Sequence, residues 1–153
     1  MGVTLEAVAT ADHAALLAVM RAYHRELDAY DRRTVGQPFD VVRYERALLD
    51  DLDDREFWWI LADGERAGFV LVRTLPDWPD DSRMVATITD FYVAPAHRRR
   101  GVGSAAVEAL LAAHRLRGTY EMEAAVLPDN APALAFWQRL GFAVQYYQTA
   151  RRP

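Results

Sequence analysis

The stretch from Met84 to Leu127 constrains the fold more than any other part of the chain. "MVATITDFYV" is dense in β-branched and aromatic residues and reads as a strand. "HRRRGVGS" then turns the chain through two glycines. "GSAAVEALLAAHRLRG" places Val107, Leu110, Leu111 and His114 on one helical face and stops at Gly118. "YEMEAAVL" alternates again as a strand. A strand, a helix and a strand in that order make a parallel pair joined by a right-handed crossover. Such a unit commits the chain to an α/β sheet that helices must cover.

The flanking segments extend that sheet. Val3 to Val8 alternates as a short strand, and Thr10 or Asp12 is placed to cap the next segment. From Ala14, the residues Leu16, Leu17, Met20, Tyr23, Leu27 and Tyr30 recur at helical spacing until "TVGQP" breaks them. Asp40 caps a second helix with Val41, Tyr44, Leu48 and Leu49 on one face, closed by "DDLDDRE". "FWWILADGERAGFVLVRTL" predicts a hairpin turning at Asp63-Gly64. "PDWPDD", with two prolines and acids around them, predicts a loop. "PDNAPALAFWQRL" predicts a helix capped by Asp129 or Asn130, with Pro132 in its first turn and Gly141 at its end. "FAVQYYQTA" predicts a last strand. The expected fold is α/β (α+β in some schemes), one domain over residues 1–153, in the order β-α-α-β-β-β-α-β-α-β. The sheet is mixed, with helices on both faces.

Composition narrows the function. The chain has no run of 18 apolar residues, so no membrane span or membrane partner is expected. Its N-terminus lacks a basic start followed by an apolar stretch, so it does not read as a secretory signal. It has no cysteine, which excludes disulfides, thiolate metal sites and a cysteine nucleophile and fits a cytoplasmic location. His13, His24, His97 and His114 show no metal-ligand spacing, so no metal is expected. The net charge is −4, which suits a nucleic-acid binder poorly because such binding rests on neutralising many phosphates. All 18 basic side chains are arginine, so Arg98, Arg99 and Arg100 are judged by position.

Their position is the start of a helix. There, backbone N–H groups lack partners and the helix dipole is positive, which together hold an anion. Gly101 and Gly103 let the backbone close on that anion, and arginine adds charge-assisted bonds to phosphate. The stretch lacks the lysine of a P-loop and the third glycine of a dinucleotide fingerprint. A pyrophosphate is the anion it suits.

The neighbourhood makes the pattern specific. "ITDFYVAPAHRRRGVGSAAVEALL", with Arg98-x-x-Gly101-x-Gly103, resembles the central motif of the GNAT family of N-acetyltransferases. "NAPALAFWQRLGF", through Asn130, Ala133, Phe136, Gly141 and Phe142, resembles that family's second recurrent segment, one strand downstream. The resemblance implies an acetyl-CoA-dependent N-acetyltransferase acting by direct transfer on a primary amine of a small molecule or peptide. It implies that acetyl-CoA, as co-substrate, lies where the fourth and fifth strands splay. Its pantetheine would meet the backbone near Phe91 and Val93. The pyrophosphate would sit on the backbone of Arg99, Arg100, Gly101, Val102, Gly103 and Ser104, with Arg98, Arg99 and Arg100 as supporting charge. Asn130, Phe136 and Trp137 would lie beside the cofactor, and the family's habit of dimerising implies a homodimer.

Two positions depart from the family pattern. The tyrosine that commonly protonates the departing thiolate is replaced by Trp137, whose indole N–H donates a hydrogen bond but is not a usual acid. The glutamate that commonly precedes the strand aspartate is replaced by Thr89. Asp90 is left as the candidate catalytic base, with Glu123 acting through water as another. These losses support the alternative of a non-catalytic acyl-CoA-binding sensor or regulatory module. His24 is expected to face outward or toward the second helix, and Trp78 reads either as an acceptor-side aromatic or as a tryptophan packed in an acidic loop.

Overall fold

The computed structural model describes residues 1–33, 37–50 and 53–153. Its elements run β1 (Val3–Ala7), α1 (His13–Leu27), α2 (Val41–Leu49), β2 (Arg55–Ala62), β3 (Glu65–Asp77), β4 (Asp80–Val93), α3 (Val102–Leu116), β5 (Glu121–Ala124) and α4 (Ala131–Arg139), with short 3₁₀ turns at Thr10–Asp12 and Pro95–His97. The five strands lie in the order β1-β2-β3-β4-β5. Neighbours are antiparallel except β4 and β5, which are parallel across the α3 crossover.

The two-residue period of the strands sorts side chains to the two faces. On β2, Trp59 points to α1 and joins Leu16, Met20, Tyr23, Phe69 and Tyr92 in one core. Its neighbours Trp58 and Ile60 point to the other face. There Val70, Val72, Ala86, Ile88, Val107, Leu110 and Trp137 form the core under α3 and α4. Both tryptophans of the pair are thus packed, one on each face. Gly68 is demanded by the sheet itself, since a Cβ there would lie 1.9 Å from the Tyr92 carbonyl oxygen on β4.

Several local expectations hold. Asp63 and Gly64 take positive φ in the β2–β3 turn. Asp40 accepts the Arg43 N–H at 3.0 Å, and Asn130, not Asp129, accepts the Ala133 N–H at 3.2 Å. Asp129 instead makes a two-pronged pair with Arg32 at 2.6 and 2.7 Å.

Other expectations are corrected. Asp12 stands at the N-cap of α1 but its side chain makes no capping bond, pairing instead with Arg66 at 2.7 Å, and Thr10 lies in the 3₁₀ turn before it. α1 ends at Leu27, short of Tyr30, where the N–H groups of Tyr30 and Asp31 fold back onto the Leu27 carbonyl. "PDWPDD" is not a loop but the tip of a long hairpin, with β3 running to Asp77 and β4 starting at Asp80. Arg83 lies between Asp77 and Asp80 and offsets the repulsion between their carboxylates. Leu49 is exposed rather than packed. The expected last strand does not form, and no strand follows α4. Residues 142–153 have no ladder partner among the described residues, and Val144, Tyr146 and Tyr147 stay exposed, so no pairing there offsets the entropy of extending them. The breaker "TVGQP" and the helix end "DDLDDRE" lie partly outside the described residues.

Candidate active site

A bulge in β4 builds the site. Ile88 pairs with Val72 and Asp90 with Leu71, so Thr89 is an extra residue in β4. The alternation of side chains reverses there. Ala86 and Ile88 face α3, whereas Tyr92 joins the core under α1. Asp90 shares the parity of Tyr92 and lies beside Tyr23 and His24 of α1.

The same strand has an open edge. The β4–β5 ladder ends at Ile88 and Ala124, with one further bond from the Ala125 N–H to the Ile88 carbonyl at 3.1 Å. Beyond that point β4 is paired with β3 alone. The Ala94 N–H donates to Ala67 on the β3 side at 2.8 Å. By alternation, the N–H and C=O groups of Phe91 and Val93 face the open edge. The Val93 carbonyl accepts from Arg98 Nε at 2.6 Å.

The edge leads to the start of α3. Arg99 and Gly101 turn the chain with φ of 61° and 80°. The N–H groups of Val102, Gly103 and Ser104 have no intrahelical acceptor and meet no other among the described residues. Gly101 is a glycine for its backbone angle, with open space around it; Gly103 is one for closeness. A Cβ on Gly103 would stand 3.3 Å from the Phe136 ring and 3.6 Å from the Phe91 ring. Phe91, Gly103 and Phe136 therefore meet at one end of the cleft, with the Phe91 and Phe136 rings stacked at 5.7 Å.

The three arginines divide. Arg98 folds back, away from the helix start. Besides the Val93 carbonyl it holds both oxygens of Glu26 on α1, at 3.0 and 2.7 Å, and lies over the Tyr92 ring. Arg99 and Arg100 are exposed beside the turn. The Val102 side chain is buried, so only its backbone reaches the site. Asn130 spends its side-chain oxygen on the α4 cap, and Trp137 is buried among Phe91, Phe136 and Phe142.

The face of the sheet that carries α1 and α2 is uncovered toward the hairpin. There a groove of about 320 Å³ is lined by Arg73, Asp77, Thr87, Thr89, Glu121 and Glu123 together with Leu75, Val85 and Tyr120. Thr87 donates to Glu123 at 3.2 Å, and Arg73 is held by Asp54 at 2.7 Å, outside the groove lining. The groove ends at Thr89, whose hydroxyl donates to Asp90 at 2.9 Å. Trp78, exposed at the hairpin tip, does not line it and is not packed either.

Asp90 is half-buried, and its loss of water pushes its carboxyl above the usual range. Hydrogen bonds from Thr89 and Tyr23 and the charge of His24 offset part of that rise. The Tyr23 hydroxyl is itself pushed far up, by burial first and by Asp90 second. Burial also raises Tyr44. It lowers His24, with Asp90 pulling the other way. The His24 ring packs at 4.9 Å from Phe39 and 5.3 Å from Tyr44. Tyr23, His24 and Tyr44 were not singled out for chemistry by the motifs. Their signal was present only as the apolar face of α1 and α2, which does not say what β4 presents to it.

Among the described residues no group of three His, Asp or Glu side chains could hold a metal, and no helix is long and apolar enough to cross a membrane. The model of the acetyltransferase (GNAT) family matches residues 16–142. The streptothricin acetyltransferase of Streptomyces lavendulae is 37% identical over 94 residues, 61% of this chain and 47% of that protein, so the match spans about half the length of that curated relative. An aminoglycoside acetyltransferase from an uncultured soil metagenomic sample has a TM-score of 0.71 at 26% identity, covering 100% of this chain and 99% of its own. The aminoglycoside N-acetyltransferase AAC(6')-Iy, in complex with the bisubstrate analog CoA-S-monomethyl-acetylneamine, shares the fold at a TM-score of 0.70 and 22% identity, covering 100% and 99%.

Proposed function

The chain belongs to the acetyltransferase (GNAT) family, and from that premise we propose that it transfers the acetyl group of acetyl-CoA directly to a primary amine of a small molecule or peptide. One observation carries the reading: the open edge of β4 at Phe91 and Val93 runs into the unpartnered N–H groups of Val102, Gly103 and Ser104. A pantetheine carries amides that an open strand edge can pair, and a pyrophosphate matches a helix start. The two stand end to end here, as the two parts of CoA do.

The chain's own groups supply the rest. The Phe91 N–H faces the cleft where charge develops on the thioester oxygen and can stabilise it. The groove with Glu121, Glu123 and Asp77 leads to Asp90 from the α1 and α2 side and suits a cationic acceptor. An alkyl ammonium must lose a proton to attack, and with a pKa near 10.4 only about one in a few thousand is neutral at pH 7. Asp90 is the half-buried carboxyl next to Phe91 that bears on that proton. The similarity to streptothricin and aminoglycoside acetyltransferases supports an acceptor with several amines. The test is release of free thiol from acetyl-CoA with a panel of amines, beside CoA affinity. Turnover that needs both reactants supports the transferase; CoA binding without turnover supports a sensor module.

A further inference from the structure

We propose that the Thr89 hydroxyl carries the proton of the incoming ammonium to Asp90, an assignment that rests on the transferase reading and gives that proton its route. Asp90 does not line the groove, but Thr89 does, at the end nearest Phe91. The Thr89 hydroxyl donates to Asp90 at 2.9 Å. A hydroxyl has one hydrogen to donate and two lone pairs to accept with. With the hydrogen committed to Asp90, the lone pairs are left for an N–H arriving from the groove.

The bulge makes this contact possible. In a regular strand adjacent side chains point to opposite faces, so a groove residue and its neighbour cannot share one proton path. Thr89 stays on the face of Val85 and Thr87, which also line the groove, while the extra residue turns Asp90 onto that same face beside Tyr23 of α1. Thr87 makes a similar bond to Glu123 at 3.2 Å, but it stands two residues, about 7 Å, farther from Phe91 along the strand. The titratable groups around the pair are Tyr23 and His24 on α1 and Tyr44 on α2, with Arg73 of β3 and Glu123 of β5 in the groove. Loss of water raises the Asp90 carboxyl, which suits a group that must hold a proton between steps.

The step balances. As the ammonium gives a proton to Thr89 Oγ1, the hydroxyl's own hydrogen moves to Asp90 Oδ2, so Thr89 ends as it began and Asp90 becomes neutral. The freed nitrogen lone pair forms the N–C bond to the acetyl carbon. The C–S bond breaks with its electron pair on sulfur, and a second amine proton goes to that sulfur. Asp90 then returns its proton to water through the same hydroxyl.

Thr89→Val keeps the shape of the side chain and removes the hydroxyl, whereas Thr89→Ser keeps the hydroxyl. With the best acceptor of the amine panel at pH 7, kcat should fall about 10²- to 10⁴-fold in Thr89→Val and less than about tenfold in Thr89→Ser. CoA affinity and the acceptor KM should stay within about threefold of the parent in both, because the hydroxyl is needed for the proton and not for holding either reactant. Thr89→Ala, which removes the hydroxyl without a methyl in its place, should also lose at least about tenfold in kcat. Asp90→Asn should lose about as much as Thr89→Val, and the double variant little more than either, since both cut one path. A Thr89→Val or Thr89→Ala chain within about threefold of the parent in kcat would overturn the relay. So would a Thr89→Ser chain as slow as Thr89→Val, or losses at the two positions that simply add. Each of these leaves the transferase reading standing, because the parent still forms the amide. A parent chain that binds CoA but acetylates no amine would overturn that reading, and the relay with it.

Discussion

Gly103→Glu separates the proposed cofactor site from the fold. The substitution puts a carboxylate into the first turn of α3, where the N–H groups of Val102, Gly103 and Ser104 lack partners. A carboxylate there satisfies those groups and complements the dipole, favouring the helix by about 0.3–1 kcal/mol. Leaving glycine adds up to about 1 kcal/mol of helix propensity. Against this, the new Cβ stands 3.3 Å from Phe136 Cε2 and 3.4 Å from Cζ, so the ring must give by a few tenths of an ångström. The terms offset, and stability should change by no more than about 1 kcal/mol, roughly 2–4 °C in Tm for a chain of this size. The pyrophosphate, however, loses its place and gains a like charge. Two charge-assisted bonds at about 1.5–3 kcal/mol each come to roughly 3–6 kcal/mol, or about 10²- to 10⁴-fold in Kd. Calorimetric titration with CoA, beside a melting curve, reads both quantities. Gly103→Ala, which adds the Cβ without the charge, should lose less than tenfold, as should Arg99→Ala on the exposed side of the turn. A folded Gly103→Glu chain binding CoA within threefold of the parent would refute the placement of the pyrophosphate.

Other perturbations test the supporting structure. Arg98→Ala and Glu26→Ala should lower stability by similar small amounts, under about 1 kcal/mol for the pair term, and fail to add in a double-mutant cycle, because each breaks the same half-exposed tether. CoA affinity should change less than tenfold in both, whereas a large loss confined to Arg98→Ala would make that residue a phosphate ligand. Gly68→Ala should cost about 3 kcal/mol or more, roughly 6–12 °C in Tm, since its Cβ would meet the Tyr92 backbone and not a movable side chain. Asp90→Asn should stabilise with a definite pH dependence. Because burial raises Asp90, the folded chain binds its proton more tightly than the unfolded one, and stability falls as pH rises from about 3.9 through the folded value. The Tm gain of Asp90→Asn should therefore grow across that window and level off above it; a gain constant from pH 3 to 8 would contradict a raised Asp90.

The glycine turn and helix start that the proposed cofactor site uses were legible because they are local. Gly101 and Gly103 stand three and five residues after Arg98, and a helix start needs no distant partner to present its N–H groups. What Arg98 does was not legible, because Glu26 lies 72 residues away and nothing in "HRRRGVGS" points to it. The surroundings of Asp90, where the acceptor is proposed to bind, escaped for a related reason. Thr89 reads as an ordinary strand residue, and only the register with β3 reveals that it is a bulge which turns Asp90 toward α1. His24 faces α2, the second of its two expected directions, with its ring against Phe39 and Tyr44. At the other extreme, composition misled. The acids and prolines of "PDWPDD" favour a loop by composition, but Arg83, four residues past Pro79, lies between Asp77 and Asp80. The alternating pattern of "FAVQYYQTA" argued for a strand, but periodicity supplies no partner, and none stands beside it.

The most direct measurement is the parent chain with acetyl-CoA and a panel of multiply charged amines, scored for free thiol and for acetylated amine by mass spectrometry in the same reaction. The account predicts thiol and acetylated amine in equal amounts, both requiring the amine and both lost in Gly103→Glu. Thiol release no faster than hydrolysis across the amine panel, with CoA still bound, would contradict it.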